Sequence, residues 1–372
     1  MVSIAQTEII NEAEVEEKNY NWQKAATLYA QAADAFFDEK SLEKAAIYYK
    51  KLGYAYINAS HTADTSEEFK RRNTLAIEAY KNALDLFNQL NKIPEDLECE
   101  AEISRIEGYF AESIMEGKVK FNKSYETFIK SSEIYRSEDD QESTARTLCR
   151  AIESLYYLTN CSTEQEELEN YIHKGFKIGE EAVIIAKEGK YYDVLAEILN
   201  ILNPLNFLYC FIMPFKKGEE GKKLYNYLKS LGDVSLRHIN ECKEPHIIAK
   251  VNIFTGMAYA GVAVQFTENA IKQKEYGDKG ITLIEIGLEY LKKTNNKKDI
   301  INGIFAIDYL ATSLRRFNYV QKRIWYDIHI LLDFGKIYEG VLIEPNFLRI
   351  IFPAFYYTNL SQRSFIKPDQ QK

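Results

Sequence analysis

Apolar residues recur along most of this chain at intervals of three and four, and small and aromatic side chains alternate on the same stripe. This spacing fits the period of an α-helix and not the two-residue alternation of a strand. Because small positions let a neighbouring helix approach while rings fill its grooves, each helix is expected to pack against a partner. The clearest stripe occurs twice, as Trp22, Ala25, Ala26, Tyr29, Ala33 and Phe36, and again as Leu42, Ala45, Ala46, Tyr49, Gly53 and Tyr56.

The same period predicts helices along the whole chain and no strand. Thr65 with Glu68 fits a capping box at the start of one helix, while Gly117 and Gly189 fit positions where a helix ends through a left-handed residue. The predicted helices cover about 3–17, 22–38, 41–60, 66–91, 95–117, 121–136, 141–159, 164–188, 190–202, 218–231, 245–270, 277–293, 298–318, 321–338 and 346–360.

Stacked helix pairs bury a continuous core without a single centre, so the pattern predicts an all-α fold, an α-solenoid of antiparallel helical hairpins. Three regions are expected: a helical-repeat region over 1–203, an irregular apolar connection over 204–216, and a helical region over 217–372 that continues and caps the solenoid. The interruption is expected because two prolines and three asparagines lie between residues 198 and 215. They also disfavour a membrane-spanning helix, and peripheral contact with a membrane surface remains an alternative for this segment.

The pattern Trp22-x2-Ala25-Ala26-x2-Tyr29 resembles the first helix of tetratricopeptide repeats. The resemblance implies a right-handed superhelix whose concave side binds protein partners. The longer runs LYAQAADAFF and AAIYYKKLGYAY, within residues 20–90, are similar to the N-terminal hairpins of the soluble NSF-attachment proteins. That second resemblance implies an adaptor that grips a helical bundle and recruits an ATPase.

Composition is that of an ordinary globular protein, with 46% hydrophobic and 27% charged residues, which argues against a disordered or membrane-embedded chain. The five cysteines have no paired spacing, so reduced and mostly buried thiols are expected. The chain opens with an acidic segment and not with a basic, apolar export signal. A cytoplasmic location is therefore expected.

Charge changes sign along the chain: residues 1–170 carry 33 acidic and 19 basic residues, and residues 290–372 carry 7 and 13. The basic end contains a patch in which bases alternate with aromatic rings, and it is a candidate contact for an acidic protein partner. The alternative is that its rings pack in the core and its bases form a solvated edge. The net charge of −8 argues against nucleic acid. The patch consists of Arg315, Arg316, Lys322 and Arg323.

A second candidate partner-binding surface lies near the N-terminus. Lys44, Tyr48 and Lys51 fall on the side of their helix away from the small and aromatic stripe. That position predicts that they face a concave groove, although an incidental exposed ring at Tyr48 is the alternative.

Catalytic and metal-binding motifs are not evident. Gly256 and Gly261 have the glycine spacing of a phosphate-binding loop, but no lysine follows. His238, Cys242 and His246 fall at i, i+4 and i+8, a spacing that suits a metal site, yet Pro245 interrupts the helix and no fourth ligand is apparent. No catalytic residue, metal or cofactor is therefore predicted.

These observations favour a non-enzymatic scaffold or adaptor that binds a helical or extended peptide segment along a concave helical-repeat surface. One alternative is a trafficking-type adaptor that links a helical bundle to an ATPase. An alternative of another class is a metal-binding regulator or enzyme built around His238, Cys242 and His246.

Overall fold

The computed structural model describes residues 4–162, 164–212, 219–241, 245–265 and 269–291, and within these ranges all of its regular secondary structure is helical. This confirms the predicted all-α solenoid. A short 3-10 helix, Ile239–Glu241, lies between α10 and α11. The α-helices are α1 Ile4–Lys18, α2 Trp22–Asp38, α3 Leu42–Ser60, α4 Ser66–Gln89, α5 Ile93–Tyr109, α6 Ile114–Ser137, α7 Gln141–Asn160, α8 Gln165–Glu188, α9 Tyr192–Ile212, α10 Glu219–Arg237, α11 Pro245–Gln265 and α12 Ala270–Leu291.

Helices alternate between two layers. Each helix packs against the next one along the chain, and α9 also contacts α7 and α11 directly. The even-numbered helices keep one exposed side, and we call them the outer layer. Helices α3, α5, α7, α9 and α11 are buried on most sides and form the inner layer; on α5, every residue from 101 to 106 is buried. The inner layer therefore runs through the described part of the chain as one continuous row.

The repeated stripe forms the α2–α3 interface. Trp22 and Phe36 are fully buried on α2, and on α3 the small residues of the stripe are buried as well. The α3 stripe also faces α4 at Gly53, where a small residue is needed because a Cβ atom would lie 2.7 Å from the ring of Tyr80 on α4. The seams predicted from the sequence do interlock in the folded chain.

Of two helix boundaries predicted from the sequence, one is confirmed and the other is wrong. The capping prediction at Thr65 is confirmed, since its Oγ1 accepts a hydrogen bond from the Glu68 N–H at 3.1 Å. The prediction that Gly117 ends a helix is wrong. The break comes earlier, because the Ser113 side chain caps α6 by accepting from the Glu116 N–H at 3.1 Å, which places Gly117 inside the first turn.

The turn after α8 is also built differently from the prediction. Gly189 follows the last helical residue as expected, but its φ is −79° and it is not left-handed. Lys190 takes the left-handed conformation instead, with φ of 58°. A side chain is disfavoured at position 189 because a Cβ atom there would overlap the Tyr191 ring.

The expected irregular connection over 204–216 is wrong for its first part. Helix α9 continues through Pro204 to Ile212, while residues 213–218 lie outside the described residues. A proline removes one backbone hydrogen bond, but burial of Leu202 and Leu205 on both sides of it stabilises the helix. No helix within the described ranges combines the length and the apolar character needed to cross a membrane. The helices predicted after 293 lie outside the described residues.

Candidate functional site

A row of charged side chains crosses the inner layer from α3 to α9. Charged groups rarely lie inside a helical array unless they are paired, so their positions set this row apart from the apolar core around it. We call it the inner ion network. It consists of Lys50, Glu98, Glu102, Arg105, Arg150, Glu153 and Glu197.

The centre of the network is Arg105 on α5, whose side chain is only 4% exposed. Its Nε donates to Glu102 at 2.9 Å, and its Nη1 donates to Glu153 of α7 at 3.1 Å and to the Tyr109 hydroxyl at 2.8 Å. Burial alone lowers the pKa of Arg105, but the Glu102 and Glu153 carboxylates outweigh it and hold that pKa well above its usual value. This guanidinium is therefore a permanently charged tie between α5 and α7.

The network continues to α3 through Glu98. Its carboxylate pairs with the Lys50 ammonium and accepts a hydrogen bond from the Thr147 hydroxyl of α7 at 2.9 Å. The Lys50 side chain remains 35% exposed, yet the surrounding protein desolvates it and lowers its pKa. One carboxylate thus joins three neighbouring inner helices at the edge of the network that water can reach.

An open cleft of about 500 Å³ lies beside the network, at the N-terminal ends of α7 and α9. It lies next to the network on α7, because Arg146 in the cleft and Arg150 in the network are one helical turn apart. The Glu197 carboxylate raises the pKa of both arginines. We call it the α7–α9 cleft. It is lined by Glu142, Arg146, Lys190, Tyr191, Tyr192, Asp193 and Glu241.

Arg146, the basic residue that α7 contributes to the lining of the cleft, already has a partner. Arg146 donates from Nη2 to Glu142 at 2.8 Å, one helical turn away. Burial acts to lower the pKa of Arg146, but the Glu197 and Glu142 carboxylates raise it by more than burial lowers it, so the net shift of the pKa is upward. Arg146 therefore contributes little free positive charge to the α7–α9 cleft.

Aromatic rings form another wall of the α7–α9 cleft. Tyr192 stacks on His238 with their ring centres 4.0 Å apart and their planes 8° from parallel. His238 Nδ1 lies 2.7 Å from the Glu241 carboxylate, which fixes the orientation of the imidazole. One face of the Tyr192 ring is thus occupied and the ring is held rigidly at the opening.

Two lining residues differ from the others because their charges are not satisfied. Among the described residues, Lys190 makes no ion pair, and its side chain is exposed at the rim. Asp193 is half-buried, and its Oδ1 is shielded from water without any hydrogen-bond donor in the described structure. The α7–α9 cleft therefore presents one free cation outside and one unsatisfied acceptor inside.

The predicted N-terminal surface lies elsewhere. Tyr48 is half-buried with its ring 5.4 Å from that of Phe36, and Lys44 lies 5.3 Å from the centre of the same Phe36 ring. Lys51 pairs with Glu14 of α1 at 3.2 Å. Tyr48 and Lys44 therefore contact α2, and Lys51 contacts α1. The three side chains lie against these two helices and not on an open groove. A role in partner binding stays a prediction.

The other candidates lie partly or wholly outside the described residues. Within the described part of the chain, no three His, Cys, Asp or Glu side chains come together as a metal site would require. His238 contacts Tyr192 and Glu241, while Cys242 and the side chain of His246 are outside the described residues. The basic patch of Arg315, Arg316, Lys322 and Arg323 is outside them too.

Sequence reasoning missed both the inner ion network and the α7–α9 cleft. A local signal for the cleft was present, since Lys190, Tyr191, Tyr192 and Asp193 follow one another at a helix boundary. Aromatic residues between charges at a turn are typical of binding surfaces, although Tyr191 and Tyr192 are half-buried in the folded chain. No comparable signal marked the network, because its members come from four helices that only the fold brings together.

Comparisons with known proteins add little to this picture. No family model matches the chain, and no curated protein matches it. A solved structure described as "Circular tandem repeat protein with novel repeat topology and enhanced subunit contact surfaces" is similar over 92% of this chain and 86% of its own length. The sequence identity is 14% and the TM-score is 0.34, a likeness too loose to carry an argument about partners.

Proposed function

We propose that this protein is a non-enzymatic interaction scaffold that binds a helical or extended peptide segment along the inner layer, with the α7–α9 cleft as the anchoring point. The observation that carries the proposal is the position of the cleft. It opens at the ends of two inner helices and adjoins the inner ion network, so a segment lying there contacts aromatic rings and charges together.

The size and lining of the cleft support a peptide ligand. A volume of about 500 Å³ accommodates a few side chains and not a whole domain. Rigid tyrosine rings with a charged rim are typical of the anchor points in protein interfaces, where aromatic and arginine side chains carry most of the affinity. Since Tyr192 is already held by His238, little ordering is needed on binding.

The proposal includes a tetratricopeptide-like relationship and a cytoplasmic location. Burial of Trp22, Ala25, Ala26 and Tyr29 at the α2–α3 interface supports the first, because these residues carry the resemblance. The second is supported by the burial of Cys99, Cys149 and Cys161 as free thiols.

The test is selection of peptides from a displayed random library against the full chain, followed by affinity measurements with fluorescent peptides. Tyr192→Ala removes the ring wall of the cleft and is expected to weaken binding by about tenfold, as for an aromatic anchor. Tyr290→Ala is the matched control, because Tyr290 is 40% exposed on α12 and does not line the cleft. Failure to enrich any peptide, or equal affinities for both variants, contradicts the proposal.

A further inference from the structure

We infer that the α7–α9 cleft takes a basic side chain of its partner, an arginine or a lysine, between Asp193 and the tyrosine wall. This inference rests on the proposed function and specifies the chemistry of the bound segment. Its three supports are the charge balance of the lining, the unsatisfied oxygen of Asp193, and a similar arrangement elsewhere in the molecule.

The lining is acidic once its internal pairs are counted. Three carboxylates face two basic groups, and Arg146 is neutralised by its hydrogen-bonded partner Glu142. Glu197 adds a further negative charge that acts on Arg146 from α9. A cationic ligand therefore enters a field of favourable sign, whereas an anion meets Asp193 and Glu241 without a free guanidinium to receive it.

Asp193 supplies the point of contact. Its Oδ1 is shielded from water, and no donor within the described structure satisfies it. Asp193 also lines the α7–α9 cleft, so a cationic ligand there neutralises a carboxylate whose shielded oxygen has no compensating donor, and it gains more than beside a fully solvated carboxylate. The guanidinium of arginine and the ammonium of lysine both bring donors and the complementary charge.

The tyrosine wall suits the same ligand. The exposed face of an aromatic ring attracts a cation, and a nearby carboxylate strengthens that attraction. The chain uses this combination internally on α10–α12: the Lys279 ammonium lies 4.2 Å from the centre of the Tyr259 ring and 3.4 Å from Asp233. The α7–α9 cleft is likewise lined by tyrosine rings and a carboxylate, and within the described structure Asp193 has no cationic partner.

Lys190 opposes the binding of a cationic ligand, so removing its charge tests the sign of the ligand's charge. Its unpaired ammonium at the rim repels a cationic ligand and attracts an anionic one. Lys190→Asn removes the charge and keeps a residue type that tolerates the left-handed backbone at this position. This variant is therefore expected to bind a cation more tightly and an anion more weakly.

The experiment measures binding of three small probes to the full chain by ligand-observed NMR. The probes are Nα-acetyl-arginine methylamide, its neutral citrulline analogue and its glutamate analogue. We expect the arginine probe to bind most tightly. Asp193→Asn is expected to lower the affinity for this probe about threefold to fivefold, as for a half-exposed ion pair. Lys190→Asn is expected to raise the same affinity about twofold. Glu188→Gln, an exposed carboxylate outside the cleft, is the control and is expected to change nothing.

Circular dichroism of each variant reports whether it folds, and Glu241→Gln serves in place of Asp193→Asn if that variant does not. Equal affinities for the three probes overturn the inference, and so does a preference for the glutamate probe that Lys190→Asn weakens. Selected peptides without basic residues overturn it while leaving the proposed function intact. A clear preference for the arginine probe with no selected peptide overturns the proposed function alone.

Discussion

The guanidinium of Arg150 lies 5.9 Å from the centre of the Tyr54 ring, although Arg150 belongs to α7 and Tyr54 to α3, with α5 between them in the inner layer. Two helices that are not neighbours along the layer therefore meet across the helix that separates them. The contact covers α5, which explains why Glu102 and Arg105 are both less than 10% exposed.

We predict that Tyr54 and Arg150 are energetically coupled. In a double-mutant cycle of Tyr54→Leu and Arg150→Gln, the free energy of unfolding is expected to show a coupling of about 0.5–1 kcal/mol, because the cation–π contact is partly exposed. Urea unfolding followed by circular dichroism measures it. The control cycle pairs Tyr54→Leu with Arg136→Gln, whose side chain lies on α6 beside Glu181. Additivity in both cycles would show that the covering contact contributes nothing.

Loss of Arg105 is expected to destabilise the chain far more than loss of a surface arginine. Arg105→Ala leaves the buried Glu102 carboxylate with only the Arg150 guanidinium, 4.0 Å away, and removing one member of a buried pair costs about 3–5 kcal/mol. Arg136→Ala breaks an exposed pair with Glu181 and is expected to cost less than about 1 kcal/mol. Equal urea midpoints for the two variants would mean that the inner ion network is not a structural tie.

Periodicity predicted the helices well because each helical stripe is a local property of about twenty residues. The stripe that contains Trp22 is an example, since its burial follows from spacing alone. Helix ends were less predictable where two signals compete, and at Gly117 the Ser113 cap prevails over the glycine. The local cost of Pro204 predicts a break in the helix. The packing that offsets this cost comes from another helix, since Leu205 approaches Gly175 of α8.

The inner ion network and the α7–α9 cleft were beyond sequence reasoning for a related reason. The partners of Arg105 and Glu98 include residues on α7 that are 48 and 49 positions away in sequence. A charged residue on a helix is solvated in most proteins, so nothing local distinguishes these from surface charges. Only the closure of α3 and α7 over α5 turns them into a buried row.

Gly108 is expected to tolerate no side chain. A Cβ atom there would lie 2.5 Å from the Phe121 ring of α6. In an exposed helix, glycine-to-alanine substitution stabilises by about 1 kcal/mol, but overpacking costs about 1–3 kcal/mol, so Gly108→Ala is expected to lower the free energy of unfolding. Phe121→Leu frees space at the clash. Adding Gly108→Ala to Phe121→Leu is therefore expected to cost less unfolding free energy than Gly108→Ala costs in the unchanged chain. A stabilised Gly108→Ala variant would contradict the close approach of α5 and α6.

The three described cysteine thiols are expected to stay unmodified while the chain is folded. Burial raises the pKa of Cys99 to about 12 and that of Cys161 to about 11, and it raises that of Cys149 well above its usual value. Since the thiolate is the reactive form, only about one Cys99 thiol in ten thousand is ionised at pH 8. Burial of the sulfur atoms also excludes the reagent.

The measurement is N-ethylmaleimide labelling at pH 8, read for each cysteine by mass spectrometry of proteolytic peptides. In the folded chain, labelling of Cys99 and Cys149 is expected to require opening of the helices around them, so their rates should rise together as urea approaches the unfolding midpoint. Cys161 follows α7 and is 5% exposed, so it is expected to react first of the three. Labelling of Cys99 at the rate of the unfolded chain would contradict the packing of α5 in the inner layer.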